Sequence, residues 1–277
     1  AWDLRPVADV PGFLDYWREV WSHRAFIWAE AKAKAYQSTR GTFLGKLWLI
    51  ANPFLNAMIF YVIFASLLKV SRGIPNFLGY LVIGIGFFPV FQGALTSGSQ
   101  ALVQARNLLR AFSFPRATVV VAWSVRGFLD FVPVALATML FVVVVPPYIV
   151  PTLLWLLILP VVLIGYVFGN CLELLLSAIT AKIPDLKFVW PLLGRFWFYT
   201  SGVFFSIDRF QDHLLVSLIM QANPAYVFLT MIRDQMIYDT MPSFLSWLYL
   251  CIWAIAMWVI GATVFWLREA KYGEEIQ

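Results

Sequence analysis

Six apolar stretches constrain this chain more than any other feature, each near the length a helix needs to cross a lipid bilayer. They run Trp48–Leu68, Phe77–Thr96, Ala117–Val145, Thr152–Ala178, Phe188–Ser206 and Phe244–Leu267. At about 1.5 Å per residue, about 20 helical residues cover a hydrocarbon core of about 30 Å. The first, second and last stretches carry no charge. Inside lipid every backbone N–H and C=O must be satisfied within the chain, which selects helices. The expected fold is all-α and polytopic, with six transmembrane helices. Composition agrees: 61% of the residues are hydrophobic, and only 13% are charged against about 25% in a soluble domain.

The cations are unevenly distributed. With the N-terminus in the cytoplasm, fourteen Lys and Arg lie inside: seven before the first span, three between spans two and three, two between spans four and five, and two after the last. Four lie outside, namely Lys69, Arg72, Arg209 and Arg233. The positive-inside rule therefore places both termini in the cytoplasm. No repeat or linker divides the chain, so residues 1–277 are read as one domain. It has a cytoplasmic amphipathic region over 1–47, a membrane domain over 48–267 and a cytoplasmic tail over 268–277.

Three segments outside the spans have structure of their own. Pro11–Lys34 reads as an amphipathic helix with Leu14, Trp17, Trp21 and Trp28 on one face and Asp15, Glu19, His23 and Glu30 opposite. Such a helix lies in a membrane interface or packs on a soluble partner. Gln100–Phe112 reads as a short helix bearing Leu102, Leu108, Leu109 and Phe112, with Arg106 and Arg110 beside them. It suits lipid headgroups and a partner's groove equally. Ser206–Ser243 contains two apolar pieces too short to span, broken at Asn223-Pro224, where proline lacks the donor a continuous helix needs. Two half-helices re-entering the membrane are expected there; an ordinary amphipathic loop is the alternative.

Few side chains suit chemistry. The intramembrane charges are Arg126, Asp130, Glu173 and Arg195, and each should face protein or water. Arg126 and Asp130 are spaced to pair on one helix face, either to anchor the bundle or to line a polar path. Glu173 and Arg195 are candidates to meet between spans four and five. Gly41-Thr42-Phe43-Leu44-Gly45-Lys46-Leu47 fails as a phosphate loop. It has three residues between its glycines instead of four, and no Ser or Thr follows the lysine. With two histidines, His23 and His213, and no carboxylate or Ser-His-Asp cluster, no catalytic residue, metal site or cofactor of its own is expected. Any energy must come from another chain.

The run Tyr36-Gln37-Ser38-Thr39-Arg40-Gly41-Thr42-Phe43-Leu44-Gly45-Lys46-Leu47-Trp48, followed by Asn52-Pro53, resembles the approach to the first span in ABC-2 type permeases of the polysaccharide and polyol-phosphate export branch. Asn107–Pro115 is similar to that family's loop ending in Phe-Pro, and Ala222-Asn223-Pro224 to its Asn-Pro before the last span. The resemblance implies a homodimer around a central channel in a bacterial inner membrane. Two ATP-binding subunits would hold ATP and magnesium, and the cargo would be a lipid-linked O-antigen, galactan or teichoic acid, with no nucleic acid involved. It implies that Arg106, Leu108, Leu109, Arg110 and Phe112 form a coupling helix on the ATPase, and that the half-helices at Asn223 and Pro224 form the extracellular gate. It also makes Tyr61, Phe64, Phe87, Phe88 and Phe91 candidates to line the channel. Export of a drug or small lipid is the rival reading. A membrane-embedded transferase is a third, with Asp208, Asp212, Asp234 and Asp239 as its sole acidic accumulation.

Overall fold

The computed structural model describes residues 12–37, 45, 47–67, 74, 76–111, 114–207 and 213–269. Among these residues every regular element is a helix. In chain order they are α1 (Phe13–Ser22), α2 (Arg24–Gln37), α3 (Leu47–Tyr61, continuing as a π-helix to Leu67), α4 (Phe77–Phe87), α5 (Pro89–Leu95) and α6 (Ala101–Gln104). Then follow α7 (Arg106–Ala111), α8 (Ala117–Val144), α9 (Ile158–Lys182), α10 (Leu186–Thr200), α11 (Leu214–Gln221), α12 (Pro224–Met236) and α13 (Phe244–Leu267).

Both ends of the described chain meet at one end of the bundle, here the near end. Tyr16 in α1 donates to Glu269 at 2.7 Å, and Glu269 pairs with Arg116 at 3.1 Å, just before α8. Arg268 donates to the carbonyl of Ala178 late in α9. At the opposite, far end, Thr152 donates to Asp239 at 2.7 Å, tying the start of α9's segment to the loop before α13. Among the described residues side chains cap three helix starts: Asn76 for α4, Asn223 for α12 and Ser243 for α13. Each cap satisfies a backbone donor that the helix itself leaves orphaned.

The span pattern is largely as expected, with three differences. The second span breaks at Phe88-Pro89, because proline removes a donor and clashes with the preceding turn. The fifth stretch is helical only over Leu186–Thr200, about 22 Å by rise, and then turns inward at Gly202, whose φ is +65°. A side chain would be strained there, and its Cβ would sit 2.6 Å from the Tyr226 ring. The N-terminal amphipathic segment is two helices separated at His23. Its packed residues are Tyr16, Val20, Ile27 and Ala31, whereas Leu14, Trp21 and Trp28 remain exposed. The tryptophan face is thus left for a membrane interface or a partner.

The tightest helix pair is α9 with α13. A Cβ at Gly261 would lie 2.3 Å from the Cys171 carbonyl oxygen, backbone against backbone. Gly261→Val should therefore push the two spans apart and cost about 1–3 kcal/mol or more. The readout is a lower thermal unfolding midpoint in detergent; an unchanged midpoint would show that the pair tolerates separation.

Candidate functional site

The near end carries the expected coupling segment, but the continuous helix is replaced by pieces. A 3-10 turn over Gly98–Gln100, α6 and α7 follow one another, and Phe112 lies outside the described residues. Leu102 is fully buried with Ala101 and Ala105 beneath the chain's own spans, so it offers nothing to a partner. Leu108 and Leu109 are half-buried against the same cluster, which also takes in Ala117, Val120, Trp123 and Leu174. The outward surface of this segment is Val103, Gln104, Asn107 and Arg110. Arg106 sits half-buried beside them.

Three of the five aromatics considered as channel candidates are core. Phe87 and Phe88 are 0% exposed and Phe91 1%, so a passing substrate cannot reach them in this conformation. Their span is apolar around its whole circumference, and such a helix is buried on all sides. Phe88 lies edge-on to Phe198 at 5.0 Å, and Phe91 packs on Trp197 at 5.5 Å and on Phe228 at 4.9 Å. These contacts join α4 and α5 to α10 and α12. Tyr61 and Phe64 are partly buried at the edge of the same cluster, with Phe64 stacked 4.7 Å from Phe204.

Among the intramembrane charges, Arg126 and Asp130 form an ion pair at 3.5 Å on α8. Glu173 is buried and accepts from the Ser124 hydroxyl, so its contact is with α8. The expected Glu173–Arg195 meeting does not occur. Arg195 is exposed on α10, among Phe188, Leu192, Phe196 and Tyr199, and has no partner among the described residues.

The half-helices are present. α11 and α12 meet at a bend of 74°, with Asn223 and Pro224 at its apex. Asn223 holds the bend with four contacts. Its Oδ1 accepts from Trp197 Nε1 at 2.7 Å and from the Ala225 amide at 3.0 Å. Its Nδ2 donates to Ser201 Oγ at 3.0 Å and to the Thr200 carbonyl at 3.4 Å. Pro224 occupies the first position of α12, where its missing N–H costs nothing. The apex therefore reaches the end of α10, while the far end of α12 leads to Asp239 and the Thr152 contact.

Sequence reasoning missed Arg233, which it counted as an exterior cation. The side chain is 2% exposed. It donates to the carbonyls of Gly202 at 2.9 Å, Tyr80 at 3.2 and 3.3 Å, and Val203 at 3.5 Å, with its guanidinium 3.4 Å from the Tyr80 ring centre. The Tyr80 hydroxyl in turn donates to the Gly202 and Phe205 carbonyls at 2.8 and 2.9 Å. One arginine thus pins α12 to α4 and to the turn after α10. Helical phase carried the signal: Arg233 follows Leu229 by four residues on the face that also buries Ala225, Ile232 and Met236.

Comparison with known proteins fits this architecture. The ABC-2 type transporter family profile matches residues 25–237. A Myxococcus xanthus protein described as O-antigen export system permease protein RfbA is 25% identical over 260 residues, covering 94% of this chain and 98% of that protein. A Klebsiella pneumoniae protein of the same description is 25% identical over 237 residues, covering 85% of this chain and 88% of its own length.

Proposed function

Because the chain belongs to the ABC-2 type transporter family, we propose that it is the permease of an exporter that carries a lipid-linked cell-surface polysaccharide out of the cytoplasm. A separate pair of ATP-binding subunits supplies the energy and holds ATP and magnesium. The cargo is taken from the full-length likeness to permeases described as exporting O-antigen. The protein sits in a bacterial inner membrane, with the near end and both termini in the cytoplasm, as the distribution of cations requires.

The observation that carries a transport role is the outer face of α10. Arg195 stands there without a partner among the described residues, and a lone arginine facing lipid is costly. Only 6% of α3's apolar stretch is buried within the chain, against 78% for the α4–α5 stretch. Two copies meeting through α3 and α10 would cover these apolar surfaces and give Arg195 a water-filled path between them. Residues 1–277 act as one unit in this reading, with Asn223 and Pro224 at the outer gate. Of the five candidate aromatics, Tyr61 and Phe64 are the ones such a path can reach, since Phe87, Phe88 and Phe91 are enclosed. The test is Phe196→Cys with Cys171 and Cys251 replaced by Ala. A short bifunctional thiol reagent should yield covalent dimers in native membranes, and monomer alone would remove the shared path.

Coupling makes a second expected result. Val103→Asp with Asn107→Asp puts two acids on the outward surface of the near-end segment without touching the buried Leu102. The ATPase partner should no longer co-purify, while the permease elutes as before. Leu108→Asp with Leu109→Asp should also disturb the permease itself, because both side chains help close its own near end. Retained ATPase binding in the first pair would mean that the segment rests on lipid.

A further inference from the structure

A cavity of about 410 Å³ opens within the bundle between α3, α5, α8 and α9. Its size falls in the range of ligand pockets, about 300–1,000 Å³. Asn52, Gln92 and Asn170 line it, and none of these three carboxamide side chains makes a hydrogen bond to the described residues. Trp123, 8% exposed, also lines it, and its indole N–H has no partner among the described residues. The Glu173 carboxylate completes the set, with the Ser124 hydroxyl as its donor. Buried polar groups are normally satisfied, and leaving one unpaired is costly. Of these groups the Trp123 indole N–H is the enclosed one, aimed into the void without a partner; Gln92 and Asn170 are half-buried and Asn52 is exposed, so their carboxamides are free to meet whatever enters.

We propose that this cavity binds an uncharged polyhydroxyl group, a sugar ring or a glycerol-like headgroup. Each hydroxyl both donates and accepts; carboxamides do the same, the indole N–H donates and a carboxylate accepts. The rings of Trp48, Trp123 and Tyr166 line the same walls and suit the apolar C–H face of a sugar. A phosphate fits badly. Asp130 and Glu173 both line the cavity, and the two cations over the Trp123 ring are already paired, Arg126 with Asp130 and Lys34 with Glu30. Asn170 and Glu173 lie about 18 and 14 Å from the near end of α9 by helical rise. A polyol held there is part-way across the membrane. Its assignment to the exported glycan rests on the export reading; the chemistry of the cavity does not.

Gly93 and Gly127 line the cavity, and a Cβ at either meets nothing within 4 Å. Gly127→Cys, made with Cys171→Ala and Cys251→Ala in nanodiscs, therefore places a thiol in the void. Octyl β-glucoside below its micellar concentration should slow maleimide labelling several-fold, and octyl phosphate should not. Slowing by glucose as well would mean that a sugar unattached to lipid is accepted; slowing by the glucoside alone would mean that the polyol arrives on a lipid. Trp123→Phe and Asn170→Leu should each weaken the protection. Protection by octyl phosphate equal to that by the glucoside, or no protection by either sugar, would overturn the proposal. Gly127→Leu fills the void, and with the ATPase present it should depress glycan export several-fold at unchanged elution. Wild-type export by this variant would take the cavity off the transport path while leaving the exporter reading intact. If the wild-type protein exports no glycan yet the glucoside still protects, the exporter reading fails and the polyol site stands.

Discussion

Arg233→Met should be the most damaging single substitution at the far end. It removes the donors that α12 sends to the Val203, Tyr80 and Gly202 carbonyls, of which Gly202 alone keeps the Tyr80 hydroxyl. Each buried acceptor left unmet costs about 1–3 kcal/mol. Methionine packs well, but no apolar side chain can bond those oxygens. The expected loss is therefore about 1–3 kcal/mol or more, since the groups left behind are neutral carbonyls. Arg233→Lys should fall between, because a single ammonium cannot span carbonyls on α4 and on the turn after α10. The measurement is the thermal midpoint in detergent, together with proteolysis over residues 201–207, which should become sensitive in Met and partly so in Lys. A Met variant as stable as the wild type would show that the arginine clamp holds nothing together.

Asn223→Ala is the second. It abolishes the cap of α12, worth about 0.5–2 kcal/mol, and strands the Trp197 indole N–H, while the Ser201 hydroxyl keeps its bond to the Trp197 carbonyl. The half-helix pair should loosen where it meets α10. Pro224→Ala alone should do far less, since the bend is held by the Asn223 side chain and its extended backbone, and the first helical position tolerates either residue. Thiol accessibility reads the motion. Ala222 is exposed and Ala225 is 0% exposed, so Ala222→Cys should react from outside at rest and Ala225→Cys should not. Adding Asn223→Ala should make Ala225→Cys reactive, as should trapping the ATPase with nucleotide if this hairpin is the outer gate. Reactivity at position 225 that neither change alters would leave the hairpin as a fixed plug.

What was legible in the sequence was what lipid imposes locally. Uncharged runs such as Phe244–Leu267 have one stable form in hydrocarbon, so the spans and the all-helical fold followed from hydropathy. The break at Asn223-Pro224 followed from a missing backbone donor, and the Arg126–Asp130 pair from helical spacing. The break at Phe88-Pro89 could have been read the same way. Long-range choices were not local properties. Nothing near Phe87, Phe88 or Phe91 told them apart from aromatics facing a channel; Phe87 packs on Phe131 in the next span, and Phe88 and Phe91 on Trp197, Phe198 and Phe228, more than 100 residues later. Glu173 chose Ser124 over Arg195 because α9 faces α8 at that depth. The carboxamides of Asn52, Gln92 and Asn170 gave no motif, since three separate spans bring them together.

The most direct test of the account is to reconstitute the permease with its ATPase partner in proteoliposomes that carry the lipid-linked glycan. Appearance of the glycan in the opposite leaflet is then followed with an impermeant glycosidase. The account predicts glycan movement that requires ATP, magnesium and both subunits, with no ATP hydrolysis by the permease alone. Hydrolysis by the permease alone after contaminating ATPases are removed, or a hydrolysing complex that leaves the glycan where it started, would contradict it.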